Sequence, residues 1–165
     1  MNENDAEFWL ELALEEKNFV KMEQYFRKAI ALAPDRADIW MYFGDSIPYP
    51  NKPELREECY KNVVKIHPEW AQAWLQLGNA HQDISQKQMC YKKALELEPD
   101  IMGGWNNLGT VVESREEKEE CFRKAIEINK NDVGAWFNLS NIVTDPEEKA
   151  NCLQNLERIR RFKNG

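Results

Sequence analysis

Few residues in this chain have the types and spacing that chemistry demands. Cys59, Cys90, Cys121 and Cys152 follow one another at intervals of 31 residues. No two of them form the close Cys pair that zinc sites use. Equivalent residues on neighbouring units of a helical stack lie roughly 10 Å apart, too far for a disulfide. The column therefore reads as four small buried or half-buried side chains, and four unpaired thiols suit a reducing compartment, the cytoplasm. His67 stands beside a turn proline, and His81 takes what is an apolar packing position elsewhere in the chain. Neither has a Cys, Ser or carboxylate that the spacing would deliver, so His81 reads as structural. Glu116, Glu117, Glu119 and Glu120 suit a helix start, where negative charge complements the dipole. No Gly-rich phosphate loop and no metal-ligand spacing occurs. The expectation is no catalytic residue, no metal, no cofactor and no enzyme.

The dominant feature beyond those residues is a phase of tryptophans. Trp9, Trp40, Trp74, Trp105 and Trp136 are separated by 31, 34, 31 and 31 residues. A fixed period of this size signals a stack of similar units. From each Trp at position i, apolar residues stand at i+3 and mostly at i+7, which is one stripe of a helix. A small residue stands at i+4: Ala13, Gly44, Gly78, Gly109 and Ser140. It lets a neighbouring helix approach closely, and the tryptophans are expected to be mostly buried on the same stripe. Asn4, Asp35, Asp100 and Asn131, five residues before a Trp, are expected N-caps, with Glu69 a poor one. Asn18, Asp83, Ser114 and Asp145, nine residues after a Trp, are expected to cap a second helix. Gln86, Glu117 and Glu148 complete a capping-box pattern, and Pro146 suits the first helical position.

Each tryptophan segment is followed by a second pattern: Phe26…Ala29…Pro34, Tyr60…Val63…Pro68, Tyr91…Ala94…Pro99, and Phe122…Ala125. With Trp105-Asn106-Asn107-Leu108-Gly109 and its copies, this resembles the tetratricopeptide repeat family over nearly the whole chain. The resemblance implies an all-α, right-handed α-solenoid of tandem helix-turn-helix hairpins. It implies a single domain, 1–165, with repeats at approximately 5–34, 35–68, 69–99, 100–130 and 131–162. Several residues depart from the family pattern. Most units have 31 residues where the family has 34, and the deficit falls after the first helix, which is expected to lose nearly a turn. The expected alanine before the second-helix aromatic is Met22, Arg56, Lys87, Lys118 or Lys149. The second unit alone carries the proline-rich stretch 47–53, which favours a stiff turn. It reads as a loop insertion, with Tyr49 the residue there that could make a contact. The last unit loses the repeat pattern at Glu157 and Arg161, and Arg158, Arg160, Arg161 and Lys163 crowd its helix end. Phe162, Leu153 and Leu156 are expected to stay partly exposed, as the outer face of a terminal repeat.

Composition limits the partners. With 42% hydrophobic and 31% charged residues, the chain is neither disordered nor membrane-spanning. The net charge of −7 excludes a general affinity for nucleic acid, which needs a basic patch. Met1 to Asp5 lacks the basic and apolar regions of a signal peptide.

In the family that this chain resembles, the first helices line a concave groove that holds a peptide. The resemblance places Leu75, Gln76, Asn79, Asn106, Asn107, Thr110, Phe137, Asn138 and Asn141 in that groove, with Glu7, Glu11, Asp38 and Asp45 in its early part. Relatives that bind acidic chaperone tails use Lys and Arg at such positions, and here those positions hold none. The expected partner is therefore a neutral or basic protein or peptide rather than an acidic one, with no nucleic acid and no membrane. Gln76, Asn107 and Asn138 share one position in successive helices. They read either as an amide ladder that pairs with a peptide backbone or as amides that are merely solvated surface or cap neighbouring loops. The alternative to peptide binding is a self-associating scaffold, a homo-oligomer built from end-to-end or groove contacts.

Overall fold

The computed structural model describes residues 4–48, 50 and 52–163, and side chains as far as Phe162. Tyr49 lies outside the described residues. Ten α-helices and no strand occur among those described. The chain divides into two compact units, Met1–His81 and Gln82–Gly165. The first holds α1 (Ala6–Glu15), α2 (Phe19–Leu32), α3 (Ala37–Ser46), α4 (Pro53–Ile66) and α5 (Ala71–Ala80). The second holds α6 (Ile84–Leu97), α7 (Gly104–Val111), α8 (Arg115–Ile128), α9 (Val133–Ile142) and α10 (Pro146–Lys163).

Within the first unit α1 packs on α2, α2 on α3, α3 on α4, and α4 on α5. The second unit repeats the order, α6 on α7 through to α9 on α10. Four hairpins result, α1/α2, α3/α4, α7/α8 and α9/α10. Local chemistry fixes where the second helix of each begins. The Asn18 side chain accepts from the N–H groups of Val20 and Lys21, at 3.1 and 3.2 Å. Asp83, Ser114 and Asp145 accept from the N–H three residues on, at 2.9, 3.1 and 3.1 Å. Pro146 and Pro53 each open a helix.

The first helices start later than their sequence suggests. Their N-caps are Asp5, Arg36, Trp70, Gly103 and Asp132, not Asn4, Asp35, Glu69, Asp100 and Asn131. After α2, α4, α6 and α8 the chain makes a tight turn, in which the N–H of Arg36, Trp70, Ile101 and Asp132 bonds the carbonyl three residues back. The turn consumes the residue that would have capped. A second such turn, Gly104 N–H to the Ile101 carbonyl, delays α7 further, and Gly103 enters the left-handed region at φ 82° to accommodate it.

The lost-turn expectation also needs correction. First helices have 10 residues, and α3 of the longer second unit has the same 10; α7 has 8. The three extra residues lengthen only the connection between α3 and α4. Ile47 precedes Pro48, and a residue before proline is pushed out of the helical region; Ile47 is extended, with ψ 117°.

The small residue at i+4 does what its size suggests. A Cβ built on Gly44 would lie 2.8 Å from the Tyr60 ring and 3.2 Å from the Cys59 Cβ. On Gly109 it would lie 2.6 Å from the Phe122 ring. Phe26 of the first hairpin stacks on Phe43 of the next, with centroids 4.9 Å apart, and joins Leu10, Ala13, Ile39 and Ile47 in a buried cluster. In the second unit Phe122, Leu139, Val143 and Cys152 form the equivalent cluster, with Trp136 against it. All four cysteines are buried. Burial pushes the Cys59 thiol up to about 12 and that of Cys121 to about 11.

The tryptophans are half-buried, not buried. Their indole N–H explains this. Trp40, Trp74 and Trp105 donate to the carbonyls of Pro34, Pro68 and Pro99 at 3.1, 2.7 and 2.8 Å, and Trp136 donates to Lys130 at 2.9 Å. Each ring lies over the preceding turn, with its apolar body inward and its polar edge tied to the backbone.

Candidate functional site

The groove positions of the two units differ in character. In the first unit Leu10, Met41 and Leu75 are buried, so Leu75 supports the core and offers no apolar surface. The carboxylates are largely engaged. Arg36 reaches Glu7 at 2.6 Å and Asp38 at 2.5 Å. The guanidinium holds the Asp38 carboxyl below the usual carboxylate range. Asp45 accepts from the Tyr60 hydroxyl at 2.7 Å, and burial followed by this carboxylate raises the phenol pKa. Of the four acids expected to line this part, Glu11 alone is in no ion pair or hydrogen bond among the described residues. The acidic character is therefore weaker than the sequence suggests. A basic residue four positions before Trp40 was the available signal. Gln76 and Asn79 pair with each other at 3.1 Å, the Asn79 amide donating.

Histidines and carboxylates also meet in this unit, against expectation. His81, 4% exposed at the end of α5, has Nδ1 3.3 Å from Oε2 of Glu57 on α4. Glu57 also pairs with Lys61 at 2.5 Å. His67 Nδ1 is 2.9 Å from Glu69. Sequence spacing missed Glu57 because the pair joins two helices across a turn. The His81 contact still reads as structural: the residue is the C-cap of α5, its backbone N–H bonds the Leu77 carbonyl, and its ring is buried. Among the described residues no group of three or more His, Cys, Asp or Glu side chains could hold a metal ion.

The second unit brings the amides together. The Asn138 side chain on α9 donates to the Asn106 side-chain oxygen on α7 at 3.0 Å. This cross-repeat bond is possible because position 134 is glycine: a Cβ there would lie 3.2 Å from the Asn106 amide nitrogen. Asn106, Asn107 and Asn138 are half-buried, and Thr110, Phe137 and Asn141 are exposed beside them. The Thr110 hydroxyl donates to the Asn107 carbonyl at 2.6 Å. Phe137 is 56% exposed, the most open aromatic ring on any first helix. The Asn138–Asn106 bond uses one donor of one amide and one lone pair of the other. A free acceptor on Asn138 and two free donors on Asn106 remain. An extended backbone presents a C=O and an N–H that match this set.

No protein-family model matches the sequence, and no curated protein matches it. Solved structures do. A crystal structure of MamA protein superposes with a TM-score of 0.79 at 15% identity, covering 96% of this chain and 91% of that one. The MamA RS-1 ArsTM double mutant gives 0.83 at 13% identity, covering 100% and 99%. MamA 41-end from Desulfovibrio magneticus RS-1 gives 0.77 at 12%, covering 99% and 97%. At these identities the likeness is one of fold, and the fold it shows is all-α, built from tandem helix-turn-helix hairpins.

Proposed function

We propose that this chain is a non-catalytic protein-interaction module of the tetratricopeptide-repeat kind, and that the second unit holds an extended peptide on the face formed by α7 and α9. The observation that carries the reading is the Asn106–Asn138 pair, half-buried yet with donors and an acceptor to spare, beside exposed Phe137. Half-buried amides with unused capacity can take a ligand that supplies further hydrogen-bond partners. Asn107, Thr110 and Asn141 extend the polar row, and Gln76 and Asn79 form a corresponding pair in the first unit. Amide readout of backbone groups is tolerant of side-chain sequence, so Phe137 supplies what preference there is, for an apolar residue. With a net charge of −7, neutral or basic segments are favoured over acidic ones. No helix among the described residues is long and apolar enough to cross a membrane, and a cytoplasmic protein partner fits four reduced thiols.

The test is a peptide array of extended neutral, basic and acidic sequences, followed by titration of the best binder into the parent and into Asn106→Ala/Asn138→Ala. Two hydrogen bonds at about 0.5–1.5 kcal/mol each correspond to a loss of roughly 5- to 150-fold in affinity. An array whose only binders are acidic, or equal affinity in the double variant, would refute the reading.

A further inference from the structure

The chain has six tryptophans, and Trp70 is the one outside the repeat phase. It takes the turn position that Arg36, Ile101 and Asp132 take in other units, where the backbone N–H bonds the carbonyl three residues back. Ile101 is buried at that position, whereas Trp70 is only half-buried. Trp40, Trp74, Trp105 and Trp136 each donate to a carbonyl. The Trp70 indole N–H forms no hydrogen bond among the described residues. Trp70 lines an open depression of about 600 Å³ between the turn before α3 and the turn before α5. The charged side chains there are mostly acidic: Asp35, Asp38 and Glu69, beside Arg36 and His67. Arg36 is already committed, to Asp38 at 2.5 Å and to Glu7 at 2.6 Å. Asp35 is exposed and in no ion pair or hydrogen bond among the described residues. Glu69 is exposed and pairs with His67 at 2.9 Å. With Glu7 included, four carboxylates stand against one guanidinium. The first turns of α3 and α5 oppose them, but each helix N-terminus carries only about half a positive charge. The surplus stays negative.

We propose that this depression binds the guanidinium of an arginine carried by a basic segment of a partner protein. The charge of the site selects a cation, and the exposed indole selects one that stacks. A guanidinium is planar, lies over an aromatic face, and still offers N–H donors at its edge. Asp35 and Glu69 are the acceptors for that edge. The Trp70 N–H is left for a backbone carbonyl of the same segment. A lysine ammonium, compact and strongly hydrated, satisfies the carboxylates but stacks less well. An acidic side chain meets like charge, because the one guanidinium present is taken. The net charge of −7 adds long-range attraction for basic segments. The site lies wholly within the first unit and owes nothing to the amides of α7 and α9.

Two-dimensional NMR of the full chain tests this, since each indole N–H gives its own signal and that of Trp70 is the one missing from Trp70→Phe. The probe is a blocked tripeptide with arginine at its centre, compared with the same peptide bearing citrulline, its uncharged isostere, or glutamate. Titrations in the Asn106→Ala/Asn138→Ala background remove the α7–α9 amides, so the two sites succeed or fail separately. The arginine peptide should shift the Trp70 signal saturably and more than any other indole, and the citrulline and glutamate peptides should not. Asp35→Asn with Glu69→Gln, both at exposed positions, should weaken binding roughly 2- to 30-fold, the usual worth of two exposed ion pairs. Trp70→Ala, followed through the backbone amides of Asp35 and Glu69, should weaken it by about 2- to 5-fold. Circular dichroism verifies the helices of each variant, and the carboxamide pair carries the test if Trp70→Ala does not fold. A Trp70 signal that stays fixed, six indoles that move alike, equal shifts with citrulline, or unchanged affinity in the carboxamide variant would each overturn the proposal.

Discussion

Gly44→Ala puts the packing argument to its clearest test. In an open helix interior this exchange stabilises by about 1 kcal/mol, since alanine is the better helix former. Here the added methyl would lie 2.8 and 2.9 Å from two ring carbons of Tyr60 and 3.2 Å from the Cys59 Cβ. Neither neighbour yields easily. The Tyr60 ring is 3% exposed and its hydroxyl is tied to Asp45 at 2.7 Å, and the Cβ of Cys59 moves only with the backbone of α4. Overpacking of this kind costs about 1–3 kcal/mol, which outweighs the propensity gain. The net expectation is destabilisation by about 1 kcal/mol, a fall in melting temperature of about 2–4 °C for a chain of this size. Gly103→Ala is the control. Nothing lies within 4 Å of its Cβ, but φ is 82°, so its cost of about 1–2 kcal/mol is conformational. Thermal and urea unfolding followed by far-UV circular dichroism measures both. Tyr60→Leu should recover part of the loss in Gly44→Ala and none in Gly103→Ala. Ala13 occupies the corresponding site under Phe26, both fully buried, so a methyl is tolerable where the helices are set for it. A Gly44→Ala variant more stable than the parent would refute the claim that glycine is needed there for close approach.

Two other contacts of the fold have measurable consequences. Trp105→Phe retains an aromatic ring over the turn but loses the bond to the Pro99 carbonyl at 2.8 Å; it should lower stability by about 0.5–1.5 kcal/mol in urea titration, and no change would show that the indole tie is incidental. Glu57 gives a pH dependence: the Lys61 ammonium and then the charge of His81 hold its carboxyl below the usual range, against the effect of burial. A carboxyl depressed in the folded state contributes stability above its unfolded pKa of about 4.3 and loses it as pH falls through the folded value. Glu57→Gln should therefore show a shallower loss of stability on acidification through the carboxylate range, and parallel pH profiles for variant and parent would remove Glu57 from that account.

The sequence alone determined whatever depends on spacing within one helix or one turn. The tryptophan period, the small residue four positions on, and the second-helix caps Asn18, Asp83, Ser114 and Asp145 are local, because a side chain that caps reaches only two or three residues along. The all-α hairpin fold follows from those signals. The buried cysteine column and the open Phe162 and Leu153 were legible for the same reason, as positions in a repeating register. Tertiary structure decided the rest. The first helices after α1 start late because the turns before them close on carbonyls that no capping rule includes. The tryptophans stand half-exposed because a carbonyl six residues back claims the indole N–H. Arg36 reaches Glu7 on α1, Glu57 finds His81, and Asn138 reaches Asn106 over Gly134; each joins residues far apart along the chain. Which of several possible partners a long side chain takes depends on how the backbones are set side by side. Packing fixes that, and no spacing along the chain encodes it.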